Sequence, residues 1–179
     1  MTVSIENKRR ETLFTREEIN VRVAEMGQEL TALYKNGNVL VVSLMKGSFI
    51  FAADLVREMD LPVHIEFMTT SSYGHGETSS GTVEMVQDLK MEDLKGYDVL
   101  VVDDICDSGI TMQAVVEHLK KRNPSSIRSC VLLDKPSRRT ADFTPDLIGF
   151  SIPDKFIVGY GLNYGDHFRN IPYIFAFVD

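Results

Sequence analysis

The chain has 179 residues, 44% hydrophobic and 25% charged, which is ordinary for a soluble globular protein and enough for one domain with a substantial core. The net charge of -7 argues against nucleic acid as the main partner, because a phosphate backbone needs a basic face, and it means that an anionic substrate must meet a local cluster of cations or a metal. The cysteines, Cys106 and Cys130, have no metal-type spacing and suit a reducing cytoplasm; no signal-peptide core follows MTVSIENKRR, and no apolar run reaches membrane length.

Thr15-Arg16-Glu17-Glu18 has the capping-box pattern, with Thr15 as N-cap and Glu18 at the third helical position. Ile19, Val23, Met26, Leu30 and Leu33 follow at helical spacing, which predicts an amphipathic helix ending near Asn36-Gly37 and packed on a sheet. The β-branched run from Val39 to Leu44 predicts a buried strand. Met45-Lys46-Gly47-Ser48 then turns into a helix through FIFAADLVREM. A lysine and a glycine at a strand's carboxyl end form a candidate anion loop, although spacing alone favours a plain turn with a solvated lysine. Pro62 to Met68 predicts another strand. Residues 69–81 are rich in hydroxyls and glycine, without apolar periodicity, and read as a surface loop or an active-site lid. His75 has no partner in sequence and reads as a loop residue. Thr82 to Leu89 alternates as a strand does.

The stretch VLVVDDICDSGITM, from Val99 to Met112, carries the strongest chemical signal. Val99 to Val102 predicts a strand buried on both faces, ended by the adjacent carboxylates of Asp103 and Asp104. Met112, Val115, Val116 and Leu119 set a helical period, so a short acidic and hydroxyl-rich loop joins strand to helix. Backbone N–H groups at a helix N-terminus suit an anion, Gly109 permits close approach, and Ser108 and Thr111 can donate hydrogen bonds. Asp103 and Asp104 would repel a phosphate beside them; they suit sugar hydroxyls or hydrated magnesium. Together these preferences point to a sugar phosphate. The competing readings are a chance acidic loop capped by Asp107 or Ser108, and a receiver-type phosphoacceptor, whose acidic pair belongs on the first strand rather than past the middle. Cys106 has no histidine base placed by the sequence and reads as a packing residue.

Beyond this helix, His118 and Lys120-Lys121-Arg122 read as a solvated helix end. Ile127 to Asp134 predicts a strand, completing an alternation of strands and helices that implies an α/β fold with a mostly parallel central sheet flanked by helices. Arg138-Arg139 reads as an exposed charge pair. Short strands are expected at 147–150, 156–160 and 171–178, with a polar loop at 163–170.

Hydrophobic residues, two acidic residues and then Asp-Ser-Gly-x-Thr resemble the phosphoribosyl-pyrophosphate (PRPP) loop of type I phosphoribosyltransferases. Leu-Leu-Asp-Lys-Pro, then Ile-Pro-Asp-Lys-Phe-Ile-Val-Gly-Tyr-Gly-Leu, then Phe-Arg-Asn before a final strand, resemble the hood of the hypoxanthine-guanine branch. The resemblance runs from about Met45 to the end. It implies a single domain over 1–179, with a core at about 36–134 and a small hood formed by the N-terminal segment and about 135–179. It implies that Lys46, Gly47, Asp103, Asp104, Asp107, Ser108, Gly109, Ile110, Thr111 and Arg169 contact PRPP or pyrophosphate. It also implies that Lys135 reaches a purine 6-oxo group, that Phe156 stacks on the base, and that the backbone of Ile157 meets its edge. Asp107 would be the general acid/base at N7, and Ser72 and Tyr73 would belong to a mobile loop. Asp103, Asp104 and Asn163 would assist magnesium, the implied cofactor. In that family the peptide before the turn lysine is often cis. Three departures stand out: Asp103 where Glu is frequent, Ser108 where Thr is usual, and Asn163 where Asp is typical. The expected activity is phosphoribosyl transfer from PRPP to a 6-oxopurine by a cytoplasmic homo-oligomer, dimer or tetramer. The alternative is a PRPP- or nucleotide-sensing regulator on the same scaffold.

Overall fold

The computed structural model describes residues 9–72, 83–165 and 167–178. In chain order it has β1 (Arg9–Phe14), α1 (Arg16–Leu33), β2 (Val39–Met45), α2 (Phe49–Arg57), β3 (Val63–Ser72), β4 (Val83–Gln87), β5 (Asp98–Cys106), α3 (Ile110–Lys120) and β6 (Ser126–Asp134). A single 3-10 turn (Pro136–Arg138) leads to β7 (Leu147–Ser151), β8 (Ile157–Val158) and β9 (Ile174–Val178). The predicted capping box starts α1: Glu18 N–H donates to Thr15 Oγ1 at 3.2 Å, and Thr15 N–H donates to the Glu18 carboxylate at 2.8 Å.

A six-stranded sheet runs in the order β4-β3-β2-β5-β6-β7, parallel except for the antiparallel β3–β4 edge pair. Its central strands are apolar on both faces because both faces are covered. Val39 and Val41 of β2, Leu100 and Val102 of β5, and Leu132 of β6 pack with Ile19, Val23, Met26 and Leu30 of α1 and with Phe51 and Leu55 of α2. Leu40, Val42, Val99, Val101 and Val131 pack on the other face with Met112, Val115 and Leu119 of α3. Strand order reverses between β2 and β5, where the chain winds away in both directions. In an open α/β sheet the crevice at the carboxyl ends of such a strand pair is the expected ligand site.

A second, three-stranded antiparallel sheet runs in the order β1-β9-β8. β1, RRETLF, has no sequence signal, since four of its six residues are exposed. Pairing from Arg9↔Val178 to Phe14↔Ile174 holds it as an edge strand, and Phe14 stacks on Phe150 of β7 at 4.1 Å between ring centres.

The segment after α3 differs from its reading as a solvated end. Arg122 folds back and donates to the carbonyls of Leu89 (3.2 Å) and Met91 (2.8 Å) while pairing with Asp88. His118 Nε2 lies 2.7 Å from Asp88 Oδ2. These two side chains fasten the stretch after β4 to α3 instead of extending into solvent.

Candidate active site

β5 runs further than its apolar residues imply. The ladder with β6 continues through Asp103↔Val131, Ile105↔Leu133 and Cys106↔Asp134, so the acidic pair lies within the strand rather than ending it. Pairing of β5 with β2 stops at Ser43↔Val102, which leaves this flank of β5 facing the turn out of β2. Asp104 is buried, and its N–H donates to Asp103 Oδ1 at 2.9 Å. Burial, reinforced by the Asp104 carboxyl, pushes Asp103 well above the usual carboxylate range. Burial raises Asp104 too, opposed in part by the Arg169 guanidinium. Two carboxyls in this state favour a shared proton, hydroxyl donors or a cation.

Three backbone segments meet beside Asp104. The Met45–Lys46 peptide is cis. A β-carbon on Gly47 would lie 2.0 Å from Asp104 Oδ2, so only glycine admits the carboxylate there. Gly161, at φ +102, lies over the same turn; a β-carbon on it would stand 2.1 Å from the Gly47 carbonyl oxygen. Arg169 donates to the Gly161 carbonyl at 2.6 Å, and Gly161 N–H donates to the Arg169 carbonyl at 2.9 Å. The Tyr160 hydroxyl donates to Asp54 Oδ2 of α2 at 2.7 Å and anchors this hairpin against the main sheet's helices.

The loop from Asp107 to Gly109 leads into α3. Neither Asp107 nor Ser108 is the N-cap: Gly109 is, at φ +83 and without a side-chain cap bond. Ser108 Oγ accepts from Ile110 N–H at 3.3 Å, and Thr111 sits half-buried in the first turn. Arg139 fixes the loop from behind. It donates to the Asp107 carbonyl at 3.1 Å and pairs with the buried Asp134. Ser108 O accepts N–H bonds from Thr140 and Ala141, both at 3.0 Å.

Lys135 starts the 3-10 turn, and its buried ammonium lies 3.8 Å from Asp154 Oδ1. Arg138, at the other end of that turn, reaches Asp107 Oδ1 at 3.2 Å and Asp154 Oδ2 at 3.4 Å. Of the Arg138-Arg139 pair, Arg138 is exposed as expected while pairing with Asp107 and Asp154, whereas Arg139 is largely buried against the acidic loop and Asp134. Phe156 is 59% exposed, edge-on to Tyr164 at 5.7 Å, and Ile157 is buried in β8. An exposed aromatic ring can stack on a flat heterocycle, and a buried ammonium paired with a carboxylate can hydrogen-bond one.

The phosphoribosyl transferase domain model matches residues 10–165. The chain is 46% identical over 176 residues to the hypoxanthine-guanine phosphoribosyltransferase of Aquifex aeolicus, covering 98% of each protein. It is 46% identical over 166 residues to the hypoxanthine phosphoribosyltransferase of Salmonella typhimurium, covering 92% of this chain and 93% of that one. A crystal structure of a hypoxanthine phosphoribosyltransferase from Staphylococcus aureus superposes with a TM-score of 0.91 at 38% identity, over 99% of this chain and 96% of that chain. The chain belongs to the hypoxanthine-guanine phosphoribosyltransferase family.

In this phosphoribosyltransferase the structure brings together Gly47, Asp104 and Arg169 on one side, and Asp107 and Lys135 on the other through Arg138 and Asp154. Asn163 turns onto its own hairpin, its amide donating to the Gly165 carbonyl. Ser72 ends β3, and Tyr73 lies outside the described residues. Among the described residues no group of three or more His, Cys, Asp or Glu side chains forms a metal cage. The buried acidic pair nevertheless fits magnesium, which is commonly held by one or two carboxylates and otherwise by substrate oxygens and water. Sequence reading missed Arg139, Tyr160, Gly161 and Asp154. The first carries no local signal, since its partners Asp107 and Asp134 approach it only in the fold; Tyr160 and Gly161 lay inside a quoted motif without a role.

Proposed function

We propose that the protein transfers the 5-phosphoribosyl group of PRPP to a 6-oxopurine, hypoxanthine or guanine, giving IMP or GMP and pyrophosphate. The observation that carries this is the convergence of the Gly47 turn, the Asp103-Asp104 pair and Arg169 on one crevice, next to the Lys135 and Asp107 base-facing cluster. The ribose phosphate sits against the α3 N-terminus, taking N–H groups of Gly109, Ile110 and Thr111 and the hydroxyls of Ser108 and Thr111. Asp103 and Asp104 accept hydrogen bonds from the ribose hydroxyls. Lys46, Gly47 and Arg169 hold the pyrophosphate, whose charge grows as the glycosidic bond breaks. Magnesium, when bound, offsets that charge; Asp103 and Asp104 would assist it, with Asn163 offering a carbonyl oxygen.

At the base, the Lys135 ammonium has only donors, so it suits a 6-oxo acceptor and opposes a 6-amino group. Phe156 stacks on the ring, and the Ile157 backbone meets its edge. Asp107 takes the N7 proton as N9 attacks C1′. Ser72, the last residue of β3, leads through Tyr73 into the segment expected to cover PRPP, which lies outside the described residues. We take 1–179 as one domain, with its core at about 36–134 and the rest as hood. The protein works in the cytoplasm as a homo-oligomer. Free, buried Cys106 and Cys130 support a reducing compartment, and no helix among the described residues is long and apolar enough to cross a membrane. Exposed Ile65 and Phe67, alternate residues of β3 and so on one face of the sheet, support subunit pairing. No observation favours the regulator reading. Product analysis tests the proposal: with PRPP, magnesium and hypoxanthine, IMP and pyrophosphate should appear in equal amounts, and PRPP binding without products would overturn it.

A further inference from the structure

Four charged groups around the 3-10 turn form a chain of alternating sign. Lys135 Nζ faces Asp154 Oδ1 at 3.8 Å; Asp154 Oδ2 faces Arg138 at 3.4 Å; Arg138 Nε donates to Asp107 Oδ1 at 3.2 Å. The 3-10 turn explains the first half. Residues three apart eclipse one another in such a turn, and Arg138 N–H donates to the Lys135 carbonyl at 3.1 Å, so Lys135 and Arg138 reach the same carboxylate. The second half depends on the shape of the guanidinium, which offers Nε to one carboxylate and a terminal nitrogen to another.

We propose that Arg138, bridged through Asp154 to Lys135, is a positioning residue that sets where the Asp107 carboxylate stands relative to the Lys135 ammonium. This rests on the reading above, in which Lys135 meets O6 and Asp107 meets N7. Those two purine atoms lie side by side on one edge, so both contacts form together only if the two side chains are held at a matching separation. Asp107 is 43% exposed and lies on a loop, and no other side chain of the described residues is bonded to its carboxylate. Lys135 is fixed by burial. Arg138 therefore supplies the constraint on the exposed partner. Among the described residues its side-chain hydrogen bonds and ion pairs go to Asp107 and Asp154, and not to Gly47, Asp104 or Arg169.

The test is steady-state kinetics on Arg138→Ala, Arg138→Lys and Asp154→Asn, with Asp107→Ala and Lys135→Ala in parallel. The Arg138 pairs are exposed and contribute little to stability, so its two variants fold; Asp154→Asn keeps an acceptor oxygen facing the buried Lys135 ammonium, and a thermal melt verifies all three. Arg138→Ala should lower kcat/KM for hypoxanthine about tenfold or more with KM for PRPP unchanged. Asp154→Asn should repeat that base-side defect. Arg138→Lys should recover less than half of the loss, because lysine's donors all sit on one nitrogen, whereas Arg138 meets Asp107 through Nε and Asp154 through a terminal nitrogen held apart by the rigid guanidinium. Arg138→Ala within twofold of wild type, or an equal rise in KM for PRPP, would overturn the proposal. Full recovery in Arg138→Lys would also overturn it, since charge alone would then suffice. If Asp107→Ala and Lys135→Ala leave the kinetics with hypoxanthine unaltered, the base-site reading itself fails. If those two are impaired and Arg138→Ala is not, the bridge alone fails.

Discussion

Gly47 and Asp104 share one space: a side chain on the glycine would stand 2.0 Å from the buried carboxylate of the aspartate. Gly47→Ala must therefore displace Asp104 or the turn that carries Lys46. Overpacking of this kind costs about 1–3 kcal/mol. Its functional mark should be a rise of about tenfold or more in KM for PRPP, with the KM for the base changed far less. Kinetics with each substrate varied separately would check this, and equal effects on both would contradict it.

Arg139 holds the loop between β5 and α3 from behind, pairing with Asp134, which is buried in β6. Removing the arginine leaves that carboxylate without its partner, and breaking a buried pair costs about 3–5 kcal/mol. Arg139→Ala should lower the melting temperature by several degrees or more and weaken PRPP binding. Arg139→Lys should repair little of this, since one ammonium cannot replace a fork that meets both Asp134 and the Asp107 carbonyl. A denaturant titration would measure the stability loss; a cost under about 1 kcal/mol, the range of exposed pairs, would contradict the account.

Asn163 stands where the resemblance implies an Asp, and its amide donates to the Gly165 carbonyl. Its carbonyl oxygen can meet magnesium but brings no charge. Asn163→Asp gives up the Gly165 bond and adds a carboxylate. The variant should need less magnesium for half-maximal rate at saturating PRPP and base. Superimposable magnesium titrations, or a higher requirement, would place Asn163 away from the metal.

Alkaline pH should destabilise the protein. Burial pushes the Cys106 thiol up to about 11 and the Tyr34 hydroxyl up to about 12. In the unfolded chain these groups ionise near their ordinary values, about 8.5 and about 10. Above about pH 8.5 the unfolded state therefore holds fewer protons than the native state, and stability falls as pH rises toward the native values. Melting temperatures should be level from pH 7 to 8 and fall from pH 9 upward. Tyr34→Phe should flatten the upper part of the fall, because the Tyr34 hydroxyl is buried without a hydrogen-bond partner among the described residues. A level profile to pH 11 would contradict this. The same burial keeps Cys106 a neutral thiol near pH 7, a poor nucleophile.

The elements legible in the sequence are those whose residues state their own burial. β2, β5 and β6 are apolar because both faces of the sheet are covered, and α1 announces its start through Thr15 and Glu18. β1 was not legible: RRETLF is an exposed edge strand held by pairing with β9, a partner far along the chain. The acidic loop was legible as a site because strand, carboxylates, glycine and helix follow one another directly. Arg138, Arg139 and Asp154 were not, because their partners come from other elements and a double arginine on a turn looks like any solvated pair. The resemblance marked Lys135 and Asp107 separately; only the fold links them through Arg138 and Asp154.

The central claim is that this site transfers phosphoribosyl to a 6-oxopurine, read by Lys135. The most direct measurement is pyrophosphate release from PRPP and magnesium with hypoxanthine, guanine, xanthine, adenine or uracil, in the wild type and in Lys135→Ala. Release should occur with hypoxanthine or guanine and not with adenine or uracil. The ratio of kcat/KM for hypoxanthine over adenine should fall in Lys135→Ala. Release with adenine or uracil in preference to the 6-oxopurines, or an unchanged ratio in Lys135→Ala, would contradict the account.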